Sequence, residues 1–347
     1  MKITSLLLSS AAVLVAGSAF AADLPAKKAA PAAAVVACPA FGAGFFQLPG
    51  SDTCLKLSGY MNYTASYNFD ESGNTTAAYG QAGEFRVMFD ARSNTELGVV
   101  RGFSRTTNGT VDRAFVQFSG ITAGLNSSLS DFAGTNAWQY GSSLGAGAGG
   151  TVRYDAALGA STLSIAIENA QNNNSEDAND DQYVTDRPDL LVGFKTTLGM
   201  VDLNIVAASH EVQEASVSDQ GYAVLGRIGA SLGGGFGVAL FGGISEGASK
   251  YTYDGGEDLV GGELAEGTNI GGEILLTAGK GVLALAADQA TFEQGATDIT
   301  RTNYGVSYVY ELAKGLSIEP EIVMSSVDDG TDTTDSTIAY LRIQRDF

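Results

Sequence analysis

The single histidine of the chain, His210, is the side chain best suited to acid–base chemistry, and it directly follows Ser209. A serine and a histidine within hydrogen-bond reach can act as nucleophile and base. Adjacent residues of a β-strand point to opposite faces, however, so these two side chains cannot easily meet if the segment is a strand. The sequence also has no P-loop, zinc-binding motif or dinucleotide fingerprint. We therefore expect neither catalysis nor a cofactor, and a hydrolase based on His210 is the least favoured hypothesis.

A second group of residues has the types expected at the narrowest point of a water-filled pore. Asp131, Phe132 and Trp138 lie in a long connection, residues 129–150, that ends in a glycine-rich segment. Opposite charge would come from arginines: Arg86, Arg92, Arg101, Arg113 and Arg153. Arginines that face carboxylates across a pore create a transverse field, which lets polar solutes pass and delays bulky apolar ones. Two alternatives stay open: the connection forms an exposed lid, and each arginine only pairs with a wall carboxylate such as Asp90.

The segments that carry these arginines alternate between apolar and polar residues, which is the pattern of strands with one apolar and one polar face. The first segment places Leu57, Met61 and Tyr63 on one face and Asn62 and Thr64 on the other. Sixteen segments show the pattern: 55–69, 83–93, 97–105, 111–119, 122–128, 151–157, 162–169, 189–197, 201–210, 221–232, 236–246, 268–278, 282–291, 302–311, 316–325 and 336–347. An even number of strands, joined alternately by short turns and longer loops, is typical of closed outer-membrane barrels. The third segment fits neither register, so its facing stays open.

Two further features favour the outer membrane over a soluble β-sandwich. Residues 1–21 have a basic start, a short apolar run and a small-residue cleavage site, so they are predicted to be a signal peptide. Residues 22–37 are predicted to be an Ala/Pro-rich periplasmic leader, and residues 38–347 the barrel domain. Aromatic residues lie at the ends of predicted strands, where a membrane interface favours them: Tyr67, Phe69, Phe85 and Tyr222 at one boundary, and Phe118, Phe236, Tyr308, Tyr310 and Phe347 at the other.

The two cysteines, Cys38 and Cys54, are predicted to form a disulfide because an exported chain meets an oxidising compartment. The alternative is a pair of free thiols, and the spacing is too wide for a CxxC redox site. A disulfide here would stabilise the start of the barrel domain by roughly 3 kcal/mol on the chain-entropy account.

Acidic residues are in excess, with 39 Asp and Glu against 19 Lys and Arg and a formal net charge of −20. Nucleic acid is therefore an improbable partner. Many of the acids fall in three predicted outer loops, at residues 176–181, 254–266 and 328–335. We expect them to enrich cations and to give a mild cation preference that salt screens. The alternative is solvated surface charge without effect on transport, and no metal site is expected.

Several blocks of sequence resemble the α-proteobacterial porin family of rhizobia and brucellae. The most specific is the cysteine block, ACPAFGAGFF at residues 37–46 with PGSDTCLKLSGY at residues 49–60, and residues 89–92, 113–120 and 341–347 match as well. The resemblance implies a trimeric sixteen-stranded barrel whose third long loop folds into the lumen. It also implies that the terminal Phe347 acts as the signal read by the outer-membrane assembly machinery.

Together these observations predict an all-β fold: a 16-stranded antiparallel transmembrane β-barrel with an inward-folded long loop 3. The predicted function is a general diffusion porin of the outer membrane of a Gram-negative bacterium, a homotrimer in contact with lipid and lipopolysaccharide that passes small hydrophilic solutes and ions. A non-conducting barrel with an adhesive or structural role is the alternative.

Overall fold

The computed structural model describes residues 36–69, 78–132, 140, 144–170, 186–214, 217–253, 256–295 and 297–347. The predicted signal peptide and most of the predicted leader therefore lie outside the described residues. From residue 37 onward the chain forms one compact unit. No helix among the described residues is long and apolar enough to cross a membrane.

The compact unit is a closed antiparallel barrel of sixteen strands, which confirms the predicted fold. The strands are β1 (Cys54–Asn68), β2 (Tyr79–Thr95), β3 (Gly98–Thr107), β4 (Thr110–Phe118), β5 (Ile121–Ser127), β6 (Ala148–Leu158), β7 (Ser161–Glu168), β8 (Asp189–Leu198), β9 (Val201–Glu214), β10 (Val217–Gly233), β11 (Phe236–Glu246), β12 (Glu266–Ala278), β13 (Gly281–Gln294), β14 (Thr297–Ala313), β15 (Leu316–Asp328) and β16 (Thr333–Asp346). Each strand pairs with the next one along the chain.

The barrel closes between its last and first strands. The β16–β1 register runs from Ile338 opposite Asn68 to Asp346 opposite Tyr60. The backbone bonds continue past β16, because the N–H of Phe347 donates to the carbonyl of Gly59 at 3.0 Å and the carbonyl of Phe347 accepts the N–H of Gly59 at 3.1 Å. The terminal residue thus belongs to the seam that removes the last free edges of the sheet.

The connections differ between the two ends of the barrel. All seven connections after even-numbered strands up to β14 have two residues. At the other end the long connections are residues 69–78, 128–147, 169–188 and 247–265, whereas those after β3, β9 and β13 are as short as the turns. We call residues 128–147 loop 3 and residues 247–265 loop 6. Short turns on one side and long loops on the other are typical of the periplasmic and outer ends of such barrels.

Several strands extend further at the outer end of the barrel than the sequence predicts. β2 begins at Tyr79 rather than residue 83, and β14 begins at Thr297 rather than residue 302. The hydrophobic alternation stops where lipid stops, but the hydrogen-bond ladder continues beyond it. Sequence alternation therefore marks the membrane band better than it marks the strand.

Alternation sets which side chains face lipid and which face the lumen. The exposed apolar residues Leu57, Met61 and Tyr63 share the outer face of β1, as predicted. The structure also settles the facing of β3, where Arg101 and Phe103 lie on the lumen side: Arg101 pairs there with Asp90 of β2. β3 is hard to assign from sequence because its inward set mixes charged and aromatic residues.

The predicted disulfide is present at the start of the barrel domain. Cys38 and Cys54 are joined with an S–S distance of 2.00 Å, and both are buried beside Phe45. A two-residue strand, Phe46–Gln47, lies between the two cysteines in the sequence and pairs with the start of β1. The disulfide therefore ties the residues that precede the barrel to its first strand.

Candidate functional site

Loop 3 turns into the lumen as soon as β5 ends. The N–H of Leu129 donates to Glu168 Oε1 on β7 at 2.7 Å. The N–H of Ala146 donates to Ser130 Oγ at 2.9 Å, which ties the return of the loop to its start. At Gly145 the backbone φ is +97° and an added Cβ would lie 2.5 Å from the Ser130 carbonyl oxygen. Only glycine fits this crossing.

The far side of loop 3 is anchored on the opposite wall by Tyr140, which is 2 % exposed. Its N–H donates to Glu321 Oε1 on β15 at 2.9 Å, and its hydroxyl donates to Asp288 on β13. Its ring packs against Ala286 and the inner face of Gly305. Burial, together with the negative charge of Asp288, raises the pKa of Tyr140 above its usual range, so the hydroxyl remains a donor. Loop 3 thus crosses the lumen, as the resemblance implied.

The return of loop 3 covers an apolar patch on the inner wall. Leu144 packs there with residues of β7 to β11 and of loop 6: Ala166, Leu191, Val206, Ala208, Ala223, Leu225, Phe241, Ala248 and Tyr251. Leu129 packs against the same cluster. Loop 6 adds a backbone contact, because the carbonyl of Tyr251 accepts the N–H of Gly145 at 2.8 Å. Exposed apolar surface inside a watery lumen is unfavourable, and loop 3 removes it from water.

Inward-facing glycines make room for this packing. A Cβ added at Gly193, Gly243 or Gly305 would lie 3.1, 2.9 or 2.7 Å from the nearest atom of a loop 3 side chain. These distances are shorter than a normal carbon–carbon contact of about 3.5 Å. Glycines at inward-facing strand positions therefore indicate where a loop docks. The alternation of apolar and polar residues does not by itself reveal the docked loop.

The lumen wall opposite Tyr140 carries two arginines, Arg92 and Arg101, that share the carboxylate of Asp90. Asp90 accepts two bonds from Arg92, at 2.9 and 2.8 Å, and two from Arg101, both at 3.0 Å. The Arg101 guanidinium also lies over the rings of Phe103 and Phe115, at 4.9 and 5.3 Å. Since one carboxylate serves two arginines, this group keeps one positive charge.

Most of the other arginines on this side of the lumen pair with carboxylates of the same wall. The pairs are Arg86 with Glu84 at 3.5 Å, Arg105 with Asp112 at 2.9 Å and Arg153 with Asp155 at 3.1 Å. Arg113 is different, because it donates to Ser127 Oγ at 2.6 Å and lies 3.9 Å from Asp131 of loop 3. The structure therefore contains both arrangements that the sequence left open. Most of these arginines pair with carboxylates of the wall, whereas Arg113 lies near a carboxylate of loop 3.

A cavity of about 580 Å³ separates the start of loop 3 from the inner wall of β3 to β9. Asp131 and Phe132 line it from the loop, and Arg101 and Arg153 line it from the wall. Most of its other lining residues are uncharged and polar: Gln117, Thr122, Asn126, Ser127, Ser128, Thr162, Ser164 and Asn204. Lys195 adds a positive charge, and within the described part of the chain it has no carboxylate partner. Charged and polar groups thus surround a cavity large enough for many water molecules.

The structure brings together part of the predicted constriction. Arg101, Arg153, Asp131 and Phe132 line the cavity, whereas Arg86 and Arg92 lie on the same wall without lining it. Arg113 lies 3.9 Å from Asp131 without lining the cavity, and Trp138 lies outside the described residues. Sequence reasoning missed Lys195 because a single lysine in a weakly alternating strand carries no distinctive signal.

His210 lies within β9, inside the predicted strand 201–210, and is fully buried, with Nδ1 2.7 Å from Asp189 Oδ1. One expectation about the acidic residues needs correction. Of the acids expected on the outer loops, Asp258 is also fully buried and Glu257 is 8 % exposed. These two carboxylates therefore add little to any charge on the outer surface. No group of residues among those described has the arrangement of a metal site.

Comparison with known proteins identifies relatives over most of the chain. The family model described as "Porin subfamily" matches residues 23–344. Porin Omp2b of Brucella neotomae is 28 % identical over 357 aligned positions, which cover 93 % of this chain and 92 % of the relative. Porin Omp2a of Brucella ovis is 41 % identical over 108 positions, covering 30 % of this chain and 31 % of the relative.

Solved structures agree on the fold. The outer membrane channel DcaP of Acinetobacter baumannii superposes with a TM-score of 0.76 at 15 % identity, covering 87 % of this chain and 99 % of the channel. The anion-selective porin from Comamonas acidovorans superposes with a TM-score of 0.62 at 11 % identity, covering 85 % of this chain and all of that chain (100 %). At these identities the likeness concerns the fold alone.

Proposed function

This chain belongs to the porin subfamily and forms an outer-membrane channel rather than an enzyme, and on that premise we propose that it is a general diffusion porin for small hydrophilic solutes and ions. The observation that carries the proposal is the polar cavity between loop 3 and the arginine wall. Its lining offers hydrogen bonds and charges of both signs but no closed pocket shaped for one ligand. Such a lining favours hydrated polar solutes over apolar ones.

We also propose a mild cation preference. The excess of acids over bases supports it, as do the exposed carboxylates of the short loop between β15 and β16, Asp328, Asp329 and Asp332. The arginines oppose it less than their number suggests, because each of those predicted for the constriction lies within 4 Å of a carboxylate. Paired charges largely cancel at the distance of a passing ion, and the two arginines that share Asp90 leave one positive charge between them. The preference should therefore weaken as salt rises.

A homotrimer is the proposed assembly, and an open strand edge supports it. β2 pairs with β1 from Tyr79 onward, but its pairing with β3 begins only at Arg86. On the β3 side, residues 79–84 thus extend past the end of the neighbouring strand. An open edge invites pairing with another chain, and further copies of the barrel would cover it. Chemical cross-linking of the detergent-purified protein should give three bands, up to the mass of three chains.

Phe347 is proposed to serve in assembly as well as in the seam. Its backbone bonds to Gly59 explain a structural role, and half of its side chain is exposed (50 %), which leaves the ring available to a partner. Removing Phe347 should slow insertion by the assembly machinery. Normal insertion of the shortened chain would count against this role.

Planar-bilayer recording tests the channel proposal. The folded protein should give stepwise conductance that comes in groups of three levels, and a salt gradient should give a reversal potential of the sign expected for cation preference. Liposome swelling with sugars of increasing size should show a gradual cut-off rather than selection of one sugar. Well-folded protein without any conductance would instead support the non-conducting alternative.

A further inference from the structure

His210 lies at the centre of a buried group of polar side chains that the channel proposal does not use. Asp189 at the start of β8 approaches one ring nitrogen, with Oδ1 2.7 Å from Nδ1. Asp258 of loop 6 approaches the other, with Oδ2 3.8 Å from Nε2. All three side chains are fully buried, at 0 % exposure. The second distance is that of an ion pair and is too long for a direct hydrogen bond.

Both carboxylates favour the doubly protonated ring. A neutral imidazole has one N–H, so one of the two carboxylates would then face a lone pair. An unpaired charge in a buried site is costly. The imidazolium is attracted to both: it donates a hydrogen bond to Asp189 and forms an ion pair with Asp258, and so it joins the wall of the barrel to loop 6.

Each carboxylate also holds loop 6 directly. Asp258 Oδ1 accepts the N–H of Ser249 at 2.8 Å, and so fixes the turn Ser249–Tyr251. Asp189 Oδ2 accepts the hydroxyl of Tyr251 at 2.7 Å. The other charged groups nearby are Glu168 on β7, which acts on Asp189, and the pair of Arg187 and Glu211, 3.4 Å apart.

Loop 6 in turn braces loop 3. The Tyr251 carbonyl accepts the N–H of Gly145 at 2.8 Å. Leu144 and Ala146, on either side of that glycine, pack in the same apolar cluster as Tyr251. A continuous chain of contacts therefore runs from the barrel wall through His210 and loop 6 to the loop that crosses the lumen.

We propose that His210 is a positioning residue that clamps loop 6 to the barrel wall and thereby holds loop 3 in place. The part that concerns conductance rests on the proposed channel function, whereas the clamp itself does not. Loss of the ring proton at high pH removes one of the two contacts, so alkaline solution should loosen loop 6 and then loop 3.

Two variants and two readouts test the clamp. His210→Gln removes the positive charge at similar size, and Asp258→Asn removes the loop 6 charge without changing a barrel strand. Ser209→Ala is the matched control, because this neighbour on β9 points to the opposite face. Folding of each barrel is checked by its heat-dependent migration in electrophoresis, and if His210→Gln does not fold, Asp258→Asn carries the same test.

The first readout is limited trypsin cleavage after Lys250, which lies in the clamped turn. At pH 7.5 we expect cleavage at least about tenfold faster in His210→Gln and Asp258→Asn than in the wild type and Ser209→Ala, since a bond to a charged group is lost. The second readout is the frequency of brief closures in bilayer recordings. It should rise between pH 7 and pH 10 in the wild type and be high at both values in His210→Gln.

Equal trypsin cleavage in the wild type and both clamp variants would overturn the proposal, whether or not the protein conducts. Faster cleavage with unchanged closures would overturn the link from loop 6 to loop 3. A folded protein that shows the expected cleavage but never conducts would leave the clamp standing and would count against the channel function.

Discussion

Replacing Gly305 with alanine should displace loop 3 from the wall on which it docks. The new Cβ would lie 2.7 Å from two ring atoms of Tyr140 and 2.8 Å from its Cβ. Normal contact between carbon atoms needs about 3.5 to 4.0 Å, so Tyr140 must retreat by roughly 1 Å. The barrel strand cannot yield instead, because Gly305 pairs on both sides, with Ala286 and Val323.

The energetic cost follows from what the retreat breaks. Overpacking of a closely packed site costs about 1 to 3 kcal/mol. The shift also stretches the bond from the Tyr140 hydroxyl to Asp288 and the bond from its N–H to Glu321, each of which stabilises by about 1.5 to 3 kcal/mol when it is fully formed. If both hydrogen bonds survive and only the packing cost of about 1 to 3 kcal/mol applies, the population ratio of displaced to docked loop 3 rises by about 5- to 150-fold.

Single-channel recording measures this ratio as the time spent in altered conductance levels. We expect Gly305→Ala to raise it by that factor, and Gly102→Ala to leave it unchanged, because a Cβ at Gly102 meets no atom within 4 Å. Adding Tyr140→Gly, which removes both the ring and its Cβ, should relieve the clash, so the double variant should differ little from Tyr140→Gly alone. If recordings from Gly305→Ala match those from the wild type, the docking of loop 3 on this wall is refuted.

Three further predictions concern charge and stability. Lys195→Gln should shift the reversal potential towards stronger cation preference. The cation-to-anion permeability ratio should rise by up to roughly fivefold, since a charge about 4 Å from an ion in water contributes about 1 kcal/mol. An unchanged reversal potential would show that Lys195 does not lie on the ion path. Asp90→Asn should shift it the other way, because Arg92 and Arg101 lose their shared carboxylate; a shift towards cations would contradict this account. Cys38→Ser should lower the free energy of unfolding by about 3 kcal/mol while leaving conductance unchanged, and urea denaturation with bilayer recording checks both.

Much of the barrel could be read from the sequence because membrane strands obey a simple rule. Lipid on one side and water on the other force a period of two, and the segment at residues 236–246 was bounded as the structure has it. The faces of Arg86, Arg92 and Arg113 followed from the same rule. It failed for β3, where Arg101, Phe103 and Arg105 all face the lumen: a stack of arginine on aromatic rings places apolar residues on the wet face.

Loop 3 illustrates the limit more clearly. Its length and its glycines were visible, and the resemblance to a known family indicated that it turns inward. Its anchor points were not visible, because Tyr140 meets Asp288 and Glu321 across separations of 148 and 181 residues. No local pattern links residues so far apart, and only the closing of the barrel brings them together.

The sequence by itself determined the class of the protein: alternation, an even strand count, a predicted export signal, two cysteines and the aromatic Phe347 together indicate an outer-membrane barrel. The tertiary structure decided which of its charges act on the lumen and which only hold the protein together. Asp258 belongs to a predicted outer loop but is buried beside His210, whereas Lys195 carries no distinctive sequence signal and faces the cavity. Alternation assigns a residue to a face, but burial and pairing depend on which loops fold over that face, and the packing of the whole chain fixes those loops.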